Sequence, residues 1–323
     1  MRERCEYAAA WAVLKFFGLL PRSAARWVGA RLAALLFRLQ PVWRRVALFN
    51  LQLAFPAWTE PERENVVRDM VRNLGWAAAE FAHLPNYTRE NIERVIVLDG
   101  FENVTAAERQ GQGVLFLTGH MGAWELSPFA HAVYHRPLHF VVRPIDNPRV
   151  DALVNRYRSA SGNTPIEKKQ SARAILRVLR QGGIVGILAD QNAALEDSVF
   201  VDFLGTPAAT TTGIARIARH TGAAVVPAYS YWDAALGKYC LHYDPALVLQ
   251  RTEDEEADVR NFTALFNQVL GGYVRRFPDQ WFWVHRRWKT RPAGEQPIYP
   301  DQKPEAIPAV APAPEPSSAA EKP

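Results

Sequence analysis

Cysteine is scarce in this chain: Cys5 and Cys240 are the only two in 323 residues, far apart and outside any metal-ligand or redox spacing. Their spacing excludes a disulfide framework and a thiolate zinc site, and it fits a reducing compartment. An apolar run of transmembrane length is also missing. The nearest candidate, AAAWAVLKFFGLL (8–20), is too short, carries Lys15 inside and stops at Pro21. Glu3 and Glu6 occupy what would be the positive leader of a signal peptide, and no small-x-small site follows, so no secretory signal is expected. A G-x-S-x-G elbow is absent and neither cysteine has a motif around it, which leaves no protein nucleophile in view. There are no internal repeats.

The composition present is that of a core-forming chain, 48% hydrophobic, enough for one extended α/β domain or two smaller ones. Its net charge of +5 is unevenly placed, because residues 1–50 hold nine Lys/Arg against Glu3 and Glu6. SAARWVGARLAALLFRL (23–39) reads as a helix with Trp27, Val28, Leu32, Leu35, Leu36 and Leu39 as its apolar set and Arg22, Arg26, Arg31 and Arg38 nearby. Such a helix suits an anionic membrane interface; the alternative is a core helix with solvated arginines. Trp11, Phe16, Phe17 and Trp43 add aromatic surface that needs a partner, so residues 1–50 are expected to form a membrane-associating segment.

Thr59-Glu60-Pro61-Glu62 combines a capping box with proline in the first turn and predicts a helix near 60–82. Beyond Pro85, strands are expected at 95–98, 114–118, 139–142, 184–189, 225–231 and 239–243, with helices at 122–134, 148–160, 170–181, 210–221 and 255–276. Strands apolar throughout, alternating with helices, predict an α/β domain over 51–291 with a mostly parallel central sheet flanked by helices. From Pro292 onward the chain holds nine of its 23 prolines, and 292–323 reads as a disordered tail.

The stretch VLFLTGHMGAWE (114–125) sets a histidine just past a buried strand and a glutamate five positions later, a spacing that chance alone can supply in such a chain. Context gives it weight. The carboxyl ends of parallel strands are where open α/β sheets place their sites. Gly119 and Gly122 permit a sharp turn, and Glu125 falls in the first turn of the next helix, within reach of the imidazole. A histidine oriented by a carboxylate, with no protein nucleophile, points to deprotonation of a substrate hydroxyl and acyl transfer to an alcohol. The alternative is a capped helix beside a hydrogen-bonded histidine.

Together with VVRP (141–144), DNP (146–148), ADQ (189–191), VFVDFLG (199–205), AATTTG (208–213) and FPDQWFWVHRRWKTRP (277–292), GHMGAWE resembles the lipid A biosynthesis late acyltransferases of the lysophospholipid acyltransferase superfamily, in order and spacing, from about residue 5 to 292. The resemblance implies His120 as general base and Glu125 as its orienting carboxylate, with Arg143, Asp190 and Gln191 in donor, acceptor or oxyanion contacts. Arg143 has a plain structural salt bridge as its alternative. It also implies an acyl carrier protein thioester or acyl-CoA as donor, a lipid A precursor as acceptor, and a place on the cytoplasmic face of a Gram-negative inner membrane, with no cofactor and no metal. Family members often have asparagine where Ala123 stands. The glycerolipid branch has aspartate in place of Glu125 and a Pro-Glu-Gly-Thr block missing here, which argues against a glycerol-phosphate acceptor. The same chemistry on another glycolipid or aminolipid, and a catalytically silent membrane-binding module, stay open.

Two further motifs invite other readings. WFWVHRRWKTRP (281–292) interleaves aromatics with Arg286, Arg287, Lys289 and Arg291, as in base-stacking surfaces, but no nucleic-acid fold signature accompanies it. Lipid phosphate or interface contact is expected instead, with packing of the C-terminal segment as the alternative. His131, His135 and His139 could tempt a metal assignment, but Pro137 breaks the helix and no carboxylate ligand is evident.

Overall fold

The computed structural model describes residues 1–168 and 171–300. Four helices come first, α1 (Arg2–Leu19), α2 (Arg22–Leu39), α3 (Pro41–Ala54) and α4 (Glu60–His83). Thr59 and Glu62 cap α4 reciprocally, as its sequence predicts. No helix among the described residues is long and apolar enough to cross a membrane.

The rest alternates: β1 (Ile96–Asp99), α5 (Phe101–Glu108), β2 (Val114–Thr118), α6 (Leu126–Tyr134), β3 (His139–Val142), α7 (Pro148–Arg158), β4 (Thr164–Glu167), α8 (Ser171–Arg180), β5 (Ile184–Leu188), β6 (Ser198–Phe203), β7 (Thr206–Thr211), α9 (Gly213–Thr221), β8 (Ala224–Asp233), β9 (Lys238–Tyr243) and α10 (Glu255–Arg276). Seven strands form one sheet in the order β1-β9-β8-β2-β5-β3-β4. Every neighbouring pair is parallel except the β8–β9 hairpin, so the expected mostly parallel α/β sheet is present.

Both faces of this sheet are covered, which is why its central strands are apolar throughout. Leu115 and Leu117 of β2 face one core with residues of α3, α4, α8, α9 and α10. Val114 and Phe116, alternating with them, face a second core with residues of α5 and α6. The expected segment boundary at residue 50 falls inside α3, whose Val46, Ala47 and Leu51 belong to the first core. α2 lies on α4 where Gly29 and Gly75 meet: a Cβ on Gly29 would stand 2.3 Å from the Gly75 carbonyl oxygen.

Several expectations need correction. Strand β4 and the β6–β7 hairpin add to the expected strands, and residues 210–211, at the start of the expected helix 210–221, belong to β7. The hairpin turns at Leu204 (φ 57°) and Gly205 (φ 90°), so it lacks the Asn-Gly or Asp-Gly signal such a turn normally announces. The expected helix 122–134 starts only at Leu126. Tyr299, inside the expected tail, is buried in the first core and its hydroxyl donates to Asn50 Oδ1 at 2.7 Å. The remainder of that tail, 301–323, lies outside the described residues.

Candidate active site

Strands β2 and β5 are parallel neighbours, and their register pairs Thr118 with Leu188, the last residue of each. Two residues beyond each end stand His120 and Asp190. The pairing of the strands therefore delivers an imidazole and a carboxylate to the same point on the carboxyl edge of the sheet. His120 Nδ1 bonds Asp190 Oδ1 at 2.8 Å, and Asp190 Oδ2 accepts from the His120 backbone N–H at 2.7 Å and from the Trp281 indole at 2.7 Å.

The loop is shaped by its glycines. Gly122 has φ 56°, and a Cβ there would stand 2.3 Å from the Ser230 carbonyl oxygen. At Gly119 a Cβ would come within 3.0 Å of the Asp190 carboxyl group. The C-terminal segment clamps the turn from the other side: Gly122 donates to the Gln280 carbonyl at 2.9 Å and Phe282 donates to the His120 carbonyl at 3.1 Å.

The electrostatics follow from burial. Desolvation disfavours charge on Asp190, yet His120 and the hydrogen bonds around it prevail and hold the carboxyl down to about 2. Desolvation likewise opposes an imidazolium at His120, but Asp190, and behind it Glu125, raise His120 above its ordinary value. An ionised Asp190 fixes the proton of a neutral His120 on Nδ1. Nε2 is then left with its lone pair, 3.3 Å from the Gln191 amide nitrogen, which donates to it.

Glu125 does not make the bond expected of it. It stands at the N-cap of α6, and its two oxygens are taken by Arg158, with Nε at 2.9 Å and Nη2 at 2.5 Å. Glu125 thus acts on His120 through charge, while the hydrogen bond to Nδ1 belongs to Asp190. Arg143 follows β3, the strand beyond β5, and is exposed with no ion pair among the described residues, so its salt-bridge alternative is not what the fold provides. His120, Asp190, Gln191 and Arg143 all follow the carboxyl ends of three adjacent strands. Ala123 is buried in the second core.

Beside this cluster runs a narrow apolar cavity of about 90 Å³ between the sheet and α6, walled by Phe116, Leu138, Phe140 and Leu241, with Trp124, Glu125 and Arg158 also lining it. The Trp124 ring lies 5.5 Å from that of His120.

The aromatic C-terminal motif is core, which corrects the expected lipid or interface contact. Trp281, Trp283, Trp288 and Arg287 are buried, and Arg287 donates to the Ala209 carbonyl and Thr210 hydroxyl, both at 2.6 Å. The member that reaches the site is Trp281, through its bond to Asp190, a contact invisible in the sequence because an indole donor to a distant carboxylate leaves no local pattern. The remaining histidines go separate ways: His131 Nδ1 meets the Tyr243 hydroxyl at 2.9 Å, and His135 meets Glu108 at 3.0 Å.

Residues 3–290 match the family model described as bacterial lipid A biosynthesis acyltransferase. The chain is 28% identical over 252 residues to a lipid A biosynthesis acyltransferase of Haemophilus influenzae, covering 78% of this chain and 77% of the relative. It is also 28% identical to two Escherichia coli proteins, the lipid A biosynthesis palmitoleoyltransferase (88% of this chain, 94% of the relative) and the myristoyltransferase (90% and 89%). Matched over nearly all its length, the chain belongs to the bacterial lipid A biosynthesis acyltransferase family and is an acyltransferase.

Proposed function

We propose that the enzyme moves a fatty acyl chain from an acyl carrier protein thioester to a hydroxyl of a lipid A precursor, with His120 as general base. One observation carries this reading: Nδ1 of His120 is tied to a buried carboxylate, which leaves Nε2 able to accept a proton beside an apolar cavity. The relatives' names, a palmitoleoyltransferase and a myristoyltransferase acting in lipid A biosynthesis, support both the cargo and the acceptor.

The acceptor O–H gives its proton to Nε2, and its oxygen attacks the thioester carbonyl carbon. A C–O bond forms and a tetrahedral oxyanion develops. Collapse breaks the C–S bond, and the departing thiolate takes the proton from the imidazolium. Asp190 stabilises that imidazolium through the Nδ1 bond; Glu125 adds its charge from the pair with Arg158. Gln191 and Arg143, on the same edge, are assigned to the oxyanion and to substrate phosphate.

The proposal sets the enzyme on the cytoplasmic face of the inner membrane. α2 supports this: Trp27, Leu35, Leu36 and Leu39 are 63, 50, 52 and 64% exposed. Beside them a groove of about 790 Å³ between α2 and α4 is lined by Arg26, Arg31, Arg38, Arg68 and Arg72, a cationic complement to anionic lipid.

Mass spectrometry of products tests the reaction. Wild type, given acyl carrier protein thioesters and a lipid A precursor, should add the mass of one acyl chain to the precursor. His120→Ala should lower turnover by roughly 10²-fold or more without loss of folding. Full activity in that variant would remove the mechanism, and a mass gain on a different lipid would remove the acceptor.

A further inference from the structure

A second apolar recess meets the site from the opposite side of Trp124 and Glu125. It has a volume of about 310 Å³ and lies where α1 crosses α4, with Leu14 and Phe17 above, Ala78 and Phe81 below and Val154 of α7 at one end. On α4 the lining positions 74, 77, 78, 81 and 82 form one helical stripe, and three of them are alanines, which is what opens the space. Glu125 is the one lining residue with a charge. Trp124 and Glu125 line both this groove and the cavity under α6, so the two recesses flank the same pair of residues, next to His120.

We infer that this groove receives an acyl chain already attached to the acceptor, while the cavity under α6 takes the chain being transferred. The inference rests on the acyl-transfer reading of His120. A reaction between two lipids needs two apolar sites with a common boundary at the reacting atoms, and the fold provides two such sites with Trp124 as that boundary. Their surroundings assign the occupants. The cavity under α6 is the smaller of the two and lies against the sheet, suited to a single chain threaded in from a carrier. The groove opens beneath α1, whose Trp11, Val13, Phe16 and Leu19 are 44, 54, 53 and 84% exposed, on the side from which a membrane lipid would arrive. A polar headgroup in the groove would lose its hydration with little in return beyond Glu125 and the Trp124 indole at one end, so an alkyl chain is the matching chemistry.

Ala78 is exposed on α4, so Ala78→Trp fills the groove without displacing core residues. The KM for the lipid A precursor should rise roughly tenfold, as expected when a hydrophobic pocket is partly filled, while kcat and the KM for the thioester stay as in wild type. A lipid A precursor with a diazirine in one resident acyl chain should, on illumination, label Leu14, Phe17 or Phe81. An unchanged acceptor KM, a rise in the thioester KM instead, or labelling confined to Phe116, Leu138 and Phe140 would overturn the assignment. Groove labelling without any acylated product would leave the groove standing and remove the acyl-transfer reading; product without labelling of α1 or α4 would do the reverse.

Discussion

The carboxyl edge of the sheet and the helical pair α1–α2 answer the same physical demands in opposite ways. At the sheet edge, Asp190 is buried and satisfied by three donors, and the residues supplying them are held by strand register and by a C-terminal segment packed to the core. On α2, Leu35, Leu36 and Leu39 face outward, and Arg26 is held between the rings of Trp76 and Trp232, at 3.9 and 3.8 Å, with no carboxylate partner among the described residues. The first region is complete within the chain. The second leaves apolar side chains and arginines open to solvent.

Asp190→Asn should break the sheet edge most severely. An amide can hold the wrong tautomer of His120, so kcat should fall by roughly 10³-fold with the fold intact. The pH profile adds a sign. A base held above 6.5 must be neutral to act, so wild-type kcat/KM should climb through a pKa above that value, and Asp190→Asn should move this limb to lower pH. Stability moves consistently. The raised pKa of His120 contributes below the unfolded value and is lost as pH rises through the folded one. The depressed pKa of Asp190 contributes above 3.8 and is lost only as pH falls toward about 2.

The helical region should break differently. Leu35→Gln, Leu36→Gln and Leu39→Gln combined should lower binding to anionic vesicles by roughly tenfold or more, read by sedimentation, with no change in thermal unfolding. Added salt should weaken the vesicle binding of wild type, because its arginines are exposed to screening. The buried His120–Asp190 pair should be indifferent to the same salt.

Smaller effects sharpen the contrast. Glu125→Gln should lower kcat by roughly tenfold, the weight of one nearby charge on an imidazolium. Adding Arg158→Gln should restore part of that loss, because the double change leaves no uncompensated cation. Trp281→Phe removes one donor from Asp190 and should cost about 1–3 kcal/mol, read as a lower denaturant midpoint at constant slope.

The sequence disclosed the parts that depend on local pattern. Apolar strands between amphipathic helices announced the sheet, the capping box announced α4, and glycines around His120 announced a turn past a strand end. It could not disclose which carboxylate the histidine meets. Glu125 is five residues away along the chain, whereas Asp190 is brought in by the pairing of Thr118 with Leu188, and register across a sheet is invisible to spacing. The aromatic run 281–288 misled for a related reason: alternating tryptophans and arginines look like an exposed binding strip, yet Arg287 is fully buried on backbone and hydroxyl acceptors contributed from elsewhere in the chain. Ala123 is the converse case. The resemblance drew notice to a missing asparagine, and the packing around Ala123 in the second core accounts for an apolar residue there.

Asp190, and not Glu125, holds the His120 ring by its Nδ1, which makes Nε2 the accepting nitrogen. Nitrogen-15 NMR of the His120 ring in wild type, Asp190→Asn and Glu125→Gln tests it directly, above the imidazole pKa. A neutral ring protonated at Nδ1 is expected in wild type and in Glu125→Gln, with that preference lost in Asp190→Asn. Loss of the Nδ1 proton in Glu125→Gln with retention in Asp190→Asn would contradict it.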